Sequence, residues 1–140
     1  MPITNISTAS NIVIDTTLPT ITSITSSTPN GSYKAGYNIS VNINFSEQIT
    51  VVGTLNVNLD TGGVVMISAF TGTTATGTYT VQGGHTSSDL TATSVTITNT
   101  VRDIALNDLS LTLPGINIAT GSDIVIDTTT PTITSITSST

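Results

Sequence analysis

The chain has 140 residues, one domain's worth, with 2 basic and 8 acidic residues, a net charge of −6 and no cysteine. So few cations exclude nucleic acid and anionic membrane surfaces as partners, because phosphates need cations to neutralise them. The lack of cysteine excludes a disulfide framework and thiolate chemistry, and no apolar run reaches the roughly 20 residues needed for membrane insertion.

In chain order, the first feature is a segment that returns at the end. Residues 4–28 and 116–140 agree at 20 of 25 positions, with an offset of 112 residues. Low complexity gives scattered Thr and Ser matches, but not Ile-Val-Ile-Asp-Thr-Thr-x-Pro-Thr-Ile-Thr-Ser-Ile twice. A period this long means whole domains in series, unlike the roughly 20–50-residue units of solenoids. The chain therefore divides into residues 1–18 (the end of a preceding repeat plus linker), 19–127 (one β-sandwich repeat) and 128–140 (linker and first strand of a following repeat). The linker is Asp15-Thr16-Thr17-Leu18-Pro19, copied as Asp127-Thr128-Thr129-Thr130-Pro131. Proline removes a backbone donor and keeps the residue before it extended, so the connector is short and taut. Met1-Pro2-Ile3-Thr4 lacks the basic and apolar regions of a signal peptide, and Met1 reads as the start of an excised fragment.

Between the linkers, period-two alternation predicts strands over residues 20–26, 38–45, 49–59 (kinked at Gly53), 63–70, 74–81, 93–101 and 109–118. Turn residues separate them at Asn30-Gly31, Thr61-Gly62-Gly63, Gly72 and Gly83-Gly84. About seven short strands at this spacing predict an antiparallel, all-β, two-sheet sandwich. Ile39, Val41, Ile43, Phe45, Leu55, Val57, Val95 and Ile97 should point inward. Strand alternation then sorts the loops. Asp15, Glu47, a turn at Thr71-Gly72-Thr73 and the Asp103/Asn107/Asp108 loop share the end where the chain enters the domain. Asp60, Asp89, Asp123 and Asp127 share the other.

Several motifs follow one another in a set order: Asp15-Thr16-Thr17-Leu18-Pro19-Thr20, Tyr33-Lys34-Ala35-Gly36, Phe45-Ser46-Glu47, Asp60-Thr61-Gly62-Gly63, Tyr79-Thr80-Val81-Gln82 and Val101-Arg102-Asp103-x-Ala105-x-Asn107. In this the chain resembles the bacterial Ig-like tandem repeats of adhesin stalks, over about residues 12–127. The resemblance implies an Ig-like sandwich and a structural, extracellular role at a bacterial cell surface. One departure is Leu106, which stands where the family's loop commonly has glycine and would alter the loop's shape.

Asp15, Glu47 and Asp103, with Asn107 or Asp108 assisting, offer hard oxygens at one pole. Calcium takes about 6–8 such ligands in flexible geometry. The competing reading is that Asp15 caps a turn, Asp103 starts another and Glu47 is solvated. Asp127 holds the equivalent position for the next repeat. No catalytic group is expected: His85, the single histidine, reads as part of a solvated Gly-Gly-His-Thr-Ser-Ser turn. The expected role is that of a stalk module spacing a distal binding domain from a cell, not an enzyme. Its partners are neighbouring copies of the repeat, in the same chain or head-to-tail between chains. A self-assembling fibre subunit joined through terminal strands and a ligand-binding adhesin domain are the alternatives.

Overall fold

The computed structural model describes residues 10–140. Its elements are β1 (Ile21–Ser26), β2 (Gly31–Tyr33), β3 (Asn38–Leu59), β4 (Val64–Ile67), β5 (Phe70–Thr80), β6 (Thr86–Ser87), β7 (Ala92–Arg102), a helical turn α1 (Ile118–Gly121) and β8 (Ile124–Asp127). The protein is all-β. Strands β1, β3, β4, β5 and β7 form a five-stranded sheet whose pairings are antiparallel. In the three-stranded sheet, β8 lies between β2, its parallel neighbour, and β6, its antiparallel one.

Strand β3 organises the molecule. Ile39, Val41, Ile43, Phe45, Ile49, Val51, Leu55, Val57 and Leu59 are all buried, so one parity of a 22-residue strand faces the core. Its first half pairs with β1 and β5: Val41 opposes both Ser26 and Gly77. Its second half pairs with β7 and β4: Val57 opposes both Val95 and Val65. Both halves line a single apolar cluster, which requires β3 to bend, since a straight strand of this length would span roughly 70 Å. Between the halves the pairing with β5 slips, from Asn44 opposite Thr74 to Ile49 opposite Gly72. Two predicted strands are thus one. Gly77 shows how closely the layers approach, because a Cβ there would strike the Val65 side chain and lie 3.1 Å from Ile67.

Several expectations are corrected. Thr71-Gly72-Thr73 is not a turn but part of β5, and Gly72 stands at the register slip, a place where glycine within a strand is common. Residues 109–118 do not form a strand. They run beside β1 with only the isolated bridges Thr20–Ser110 and Ser23–Ile116, because Pro114-Gly115 interrupts any ladder. The closing strand is β8, where Ile124 and Ile126 are buried. Ile97, expected inside, is only partly buried against the cluster. Before β8, Asn117 caps α1: its Oδ1 accepts the Ile118 N–H at 2.8 Å and the Ala92 N–H at 2.9 Å.

Candidate functional site

Three carboxylates from separate segments meet where the chain enters β1. Asp15 comes from the linker, Glu47 from the slip in β3 and Asp103 from the end of β7, and one oxygen of each lies within 4.8 Å of the others. Local folding sets each position. Asp15 Oδ1 accepts the Thr17 N–H at 2.9 Å, closing an Asx turn. Asp103 opens a tight loop in which Leu106 N–H donates to its carbonyl at 3.2 Å. Its carboxylate accepts the Asn107 N–H and the Asn107 side-chain amide, both at 2.8 Å. The same amide donates to the Asp15 carbonyl at 3.1 Å, which ties the linker to the loop.

These contacts assign different parts to the five residues expected at this pole. Asn107 points its amide nitrogen into the cluster, so it positions Asp15 and Asp103 and supplies no oxygen. Asp108 is engaged elsewhere, with its Oδ1 2.6 Å from Arg102 Nε. Asp103 is almost inaccessible at 3% exposure. Burial pushes its pKa up, but the Asn107 side chain and the N–H groups of Asn107, Ala105 and Leu106 more than offset this and hold it below the ordinary value. Glu47 shows the opposite balance. Desolvation and then the charges of Asp15 and Asp103 raise its pKa, and no hydrogen bond compensates. Glu47 is therefore the carboxylate of the three whose charge is least answered. Carboxylate oxygens are hard donors of the kind calcium takes.

Asp127 lies at the other end of the domain. Its Oδ1 accepts the Thr129 N–H at 2.9 Å, and it lines an open recess with Ser32, Tyr33, Lys34 and Tyr37. Sequence reasoning did not find this recess. The available signal was the pair of tyrosines flanking a glycine turn: Gly36 has φ 90°, and the Tyr33 and Tyr37 ring centroids are 5.5 Å apart.

His85 is not simply solvated. It is half-buried, its ring stacks on Tyr79, and its Nδ1 lies 2.7 Å from the Tyr79 hydroxyl, which satisfies a polar atom at the edge of the core. Neighbouring Ser87 donates to Asp60 Oδ2 at 2.6 Å instead. Comparison with protein-family models, curated proteins and solved structures finds no match for this chain.

Proposed function

We propose that the chain is an extender module: an Ig-like sandwich of about seven principal strands, repeated in tandem along a bacterial cell-surface stalk of the adhesin type. One observation carries this reading. Identical sequence is buried in one copy and bare in the other. Ile124 and Ile126 of β8 are 0% and 1% exposed, whereas their counterparts Ile12 and Ile14 are 61% and 86% exposed. Ile21 and Ile24 of β1 are 4% and 0% exposed, whereas Ile133 and Ile136 are 82% and 89% exposed. Each bare copy has the sequence of a core strand whose own domain would be the neighbouring repeat. On this reading the protein works outside the cell by length and stiffness, without catalysis. Calcium at Asp15, Glu47 and Asp103 would tie linker to domain and oppose bending.

The bare isoleucines also favour a second reading, a fibre subunit whose terminal strands add to another chain, since unpaired apolar strands readily extend a sheet. Analytical ultracentrifugation separates the two. An extender stays monomeric over a hundredfold concentration range, and a two-repeat version scatters X-rays as a rod. Mass that grows with concentration supports the fibre, and a flexibly jointed two-repeat chain refutes the extender.

A further inference from the structure

The repeated segment occurs in two settings, once leaving a domain and once reaching one, and its turn is the same in both. Asp15 Oδ1 accepts the Thr17 N–H at 2.9 Å, and Asp127 Oδ1 accepts the Thr129 N–H at 2.9 Å. Adjacent residues are gripped from opposite sides. Thr128 Oγ1 accepts the Gly84 N–H and donates to the His85 carbonyl, both at 3.1 Å, which anchors it to the domain it leaves. The Asp15 carbonyl accepts from Asn107, and the Pro19 carbonyl accepts the Ser110 N–H at 2.9 Å, which anchors them to the domain they reach. Burial agrees: Thr128 is half-buried where Thr16 is exposed, Asp15 is half-buried where Asp127 is exposed, and Pro19 is buried where Pro131 is exposed.

If one segment makes both sets of contacts, as it would between two repeats in series, the groups around Asp127 and those around Asp15 come to the same joint. On one side of the boundary aspartate stand Lys34, Tyr33 and Tyr37, which share a recess with Asp127. On the other stand Glu47 and Asp103, which meet Asp15. Lys34 is one of only 2 cations in the chain. It is exposed and has no carboxylate within 4.0 Å among the described residues, whereas Arg102 is paired with Asp108. The loop that carries Asp103 also presents Ile104 and Leu106, which are 89% and 70% exposed and would have tyrosines to pack on.

We propose that the Tyr33–Lys34–Tyr37 recess is the docking surface for the next copy of this domain, with Lys34 supplying the counter-charge to that copy's Glu47 and Asp103. The proposal rests on the tandem-array reading and gives it a defined joint. One ammonium against three carboxylates leaves two negative charges, so this pairing does not exclude a divalent ion at the same joint.

The test uses this chain extended by one repeat, residues 1–131 followed directly by residues 20–140. Two versions each keep one lysine, with Lys34→Arg placed in either the second or the first copy. A carbodiimide, which condenses an amine with a carboxylate in contact, is applied at high dilution in chelator, and links in the monomer are mapped by mass spectrometry. Within one copy, Lys34 and Glu47 are separated by the first half of β3, roughly 25 Å, so they cannot be joined. A link from Lys34 to Glu47 or Asp103 is expected only when the first copy keeps its lysine. Identical link patterns in the two versions, or no link to those acids from the first-copy lysine, overturn the proposal. X-ray scattering from the same chains reads the parent hypothesis separately. A rod without the link removes the role of Lys34 alone, and a flexible pair removes the extender as well.

Discussion

Ile24 and Ile136 occupy the same position in two copies of the same ten-residue sequence, and only one of them is packed. Ile24 opposes Ile43 across the β1–β3 ladder and is 0% exposed. Ile24→Ala deletes three carbons from a filled space. At about 0.8 kcal/mol per methylene the transfer loss is about 2.4 kcal/mol, and the remaining cavity brings the expected cost to about 2–5 kcal/mol. That is a large share of the roughly 5–15 kcal/mol that holds a domain together. It corresponds to a fall in melting temperature on the order of 10 °C for a chain of this size. Ile136 is 89% exposed, and Ile136→Ala should stay within about 0.5 kcal/mol. Urea unfolding followed by circular dichroism measures both, with unchanged m-values as the check that only stability moved. Equal losses in the two variants would mean that the tail is packed in solution, and the assignment of residues 131–140 as a bare copy of β1 would be wrong. A loss below about 1 kcal/mol for Ile24→Ala would refute the β1–β3 packing itself.

Leu106 adopts φ 70° with its side chain 70% exposed, so Leu106→Gly should relieve a strained backbone at little cost in burial and raise stability by about 0.5–1 kcal/mol, measured by thermal melting. Glu47 has a raised pKa in the folded state, so its ionised form opposes folding and stability falls as pH rises through that pKa. Glu47→Gln should therefore raise the melting temperature at pH 7 in chelator, with the gain vanishing near pH 3. Asp103 has a lowered pKa, so its stabilisation is present above its ordinary value of 3.8 and is lost as pH falls through the lowered one; Asp103→Asn should be costly at pH 7 and mild in acid. Gly53 has φ 95° and packs its backbone against Thr98, so Gly53→Ala combines strain with a clash and should lower the urea midpoint more than Gly72→Ala, whose added Cβ would have ordinary contacts at 3.7 Å or beyond.

The parts of the molecule most legible in the sequence are those governed by strict alternation. Between Ile39 and Leu59 apolar residues alternate with polar ones except at Glu47, Val52 and Gly53, and the buried set keeps the same parity on both sides of those breaks. The convergence of Asp15, Glu47 and Asp103 followed from counting strand directions, which tolerates errors in individual strands. It did not depend on the expected 109–118 strand, which comes after Asp103 in the chain. Short elements were not legible. Strands β2 and β6 have 3 and 2 residues, too few to show a period, and β8 looked like linker because its pattern is shared with the bare copy at residues 12–15. The role of Asn107 was not legible either, since a sequence does not tell which end of an amide faces a carboxylate. In the folded loop, where Leu106 is left-handed, that amide nitrogen donates to Asp103.

In a tandem array, the two points where neighbours would hold this domain lie at opposite ends of the first half of β3. Ile21 begins β1 opposite Phe45, and Asp127 ends β8 beside Tyr37, just before Asn38 opens β3. A pull between Pro19 and Thr128 therefore acts along the axis of β1 and loads its ladder to β3 in shear. The antiparallel hydrogen bonds from Ile21 to Ser26, and the buried side chains of Ile21 and Ile24, would have to give way together rather than one pair at a time. A strand peeled from its end yields at the force of a single bond. This one, loaded lengthwise, yields only at the force that breaks the whole row.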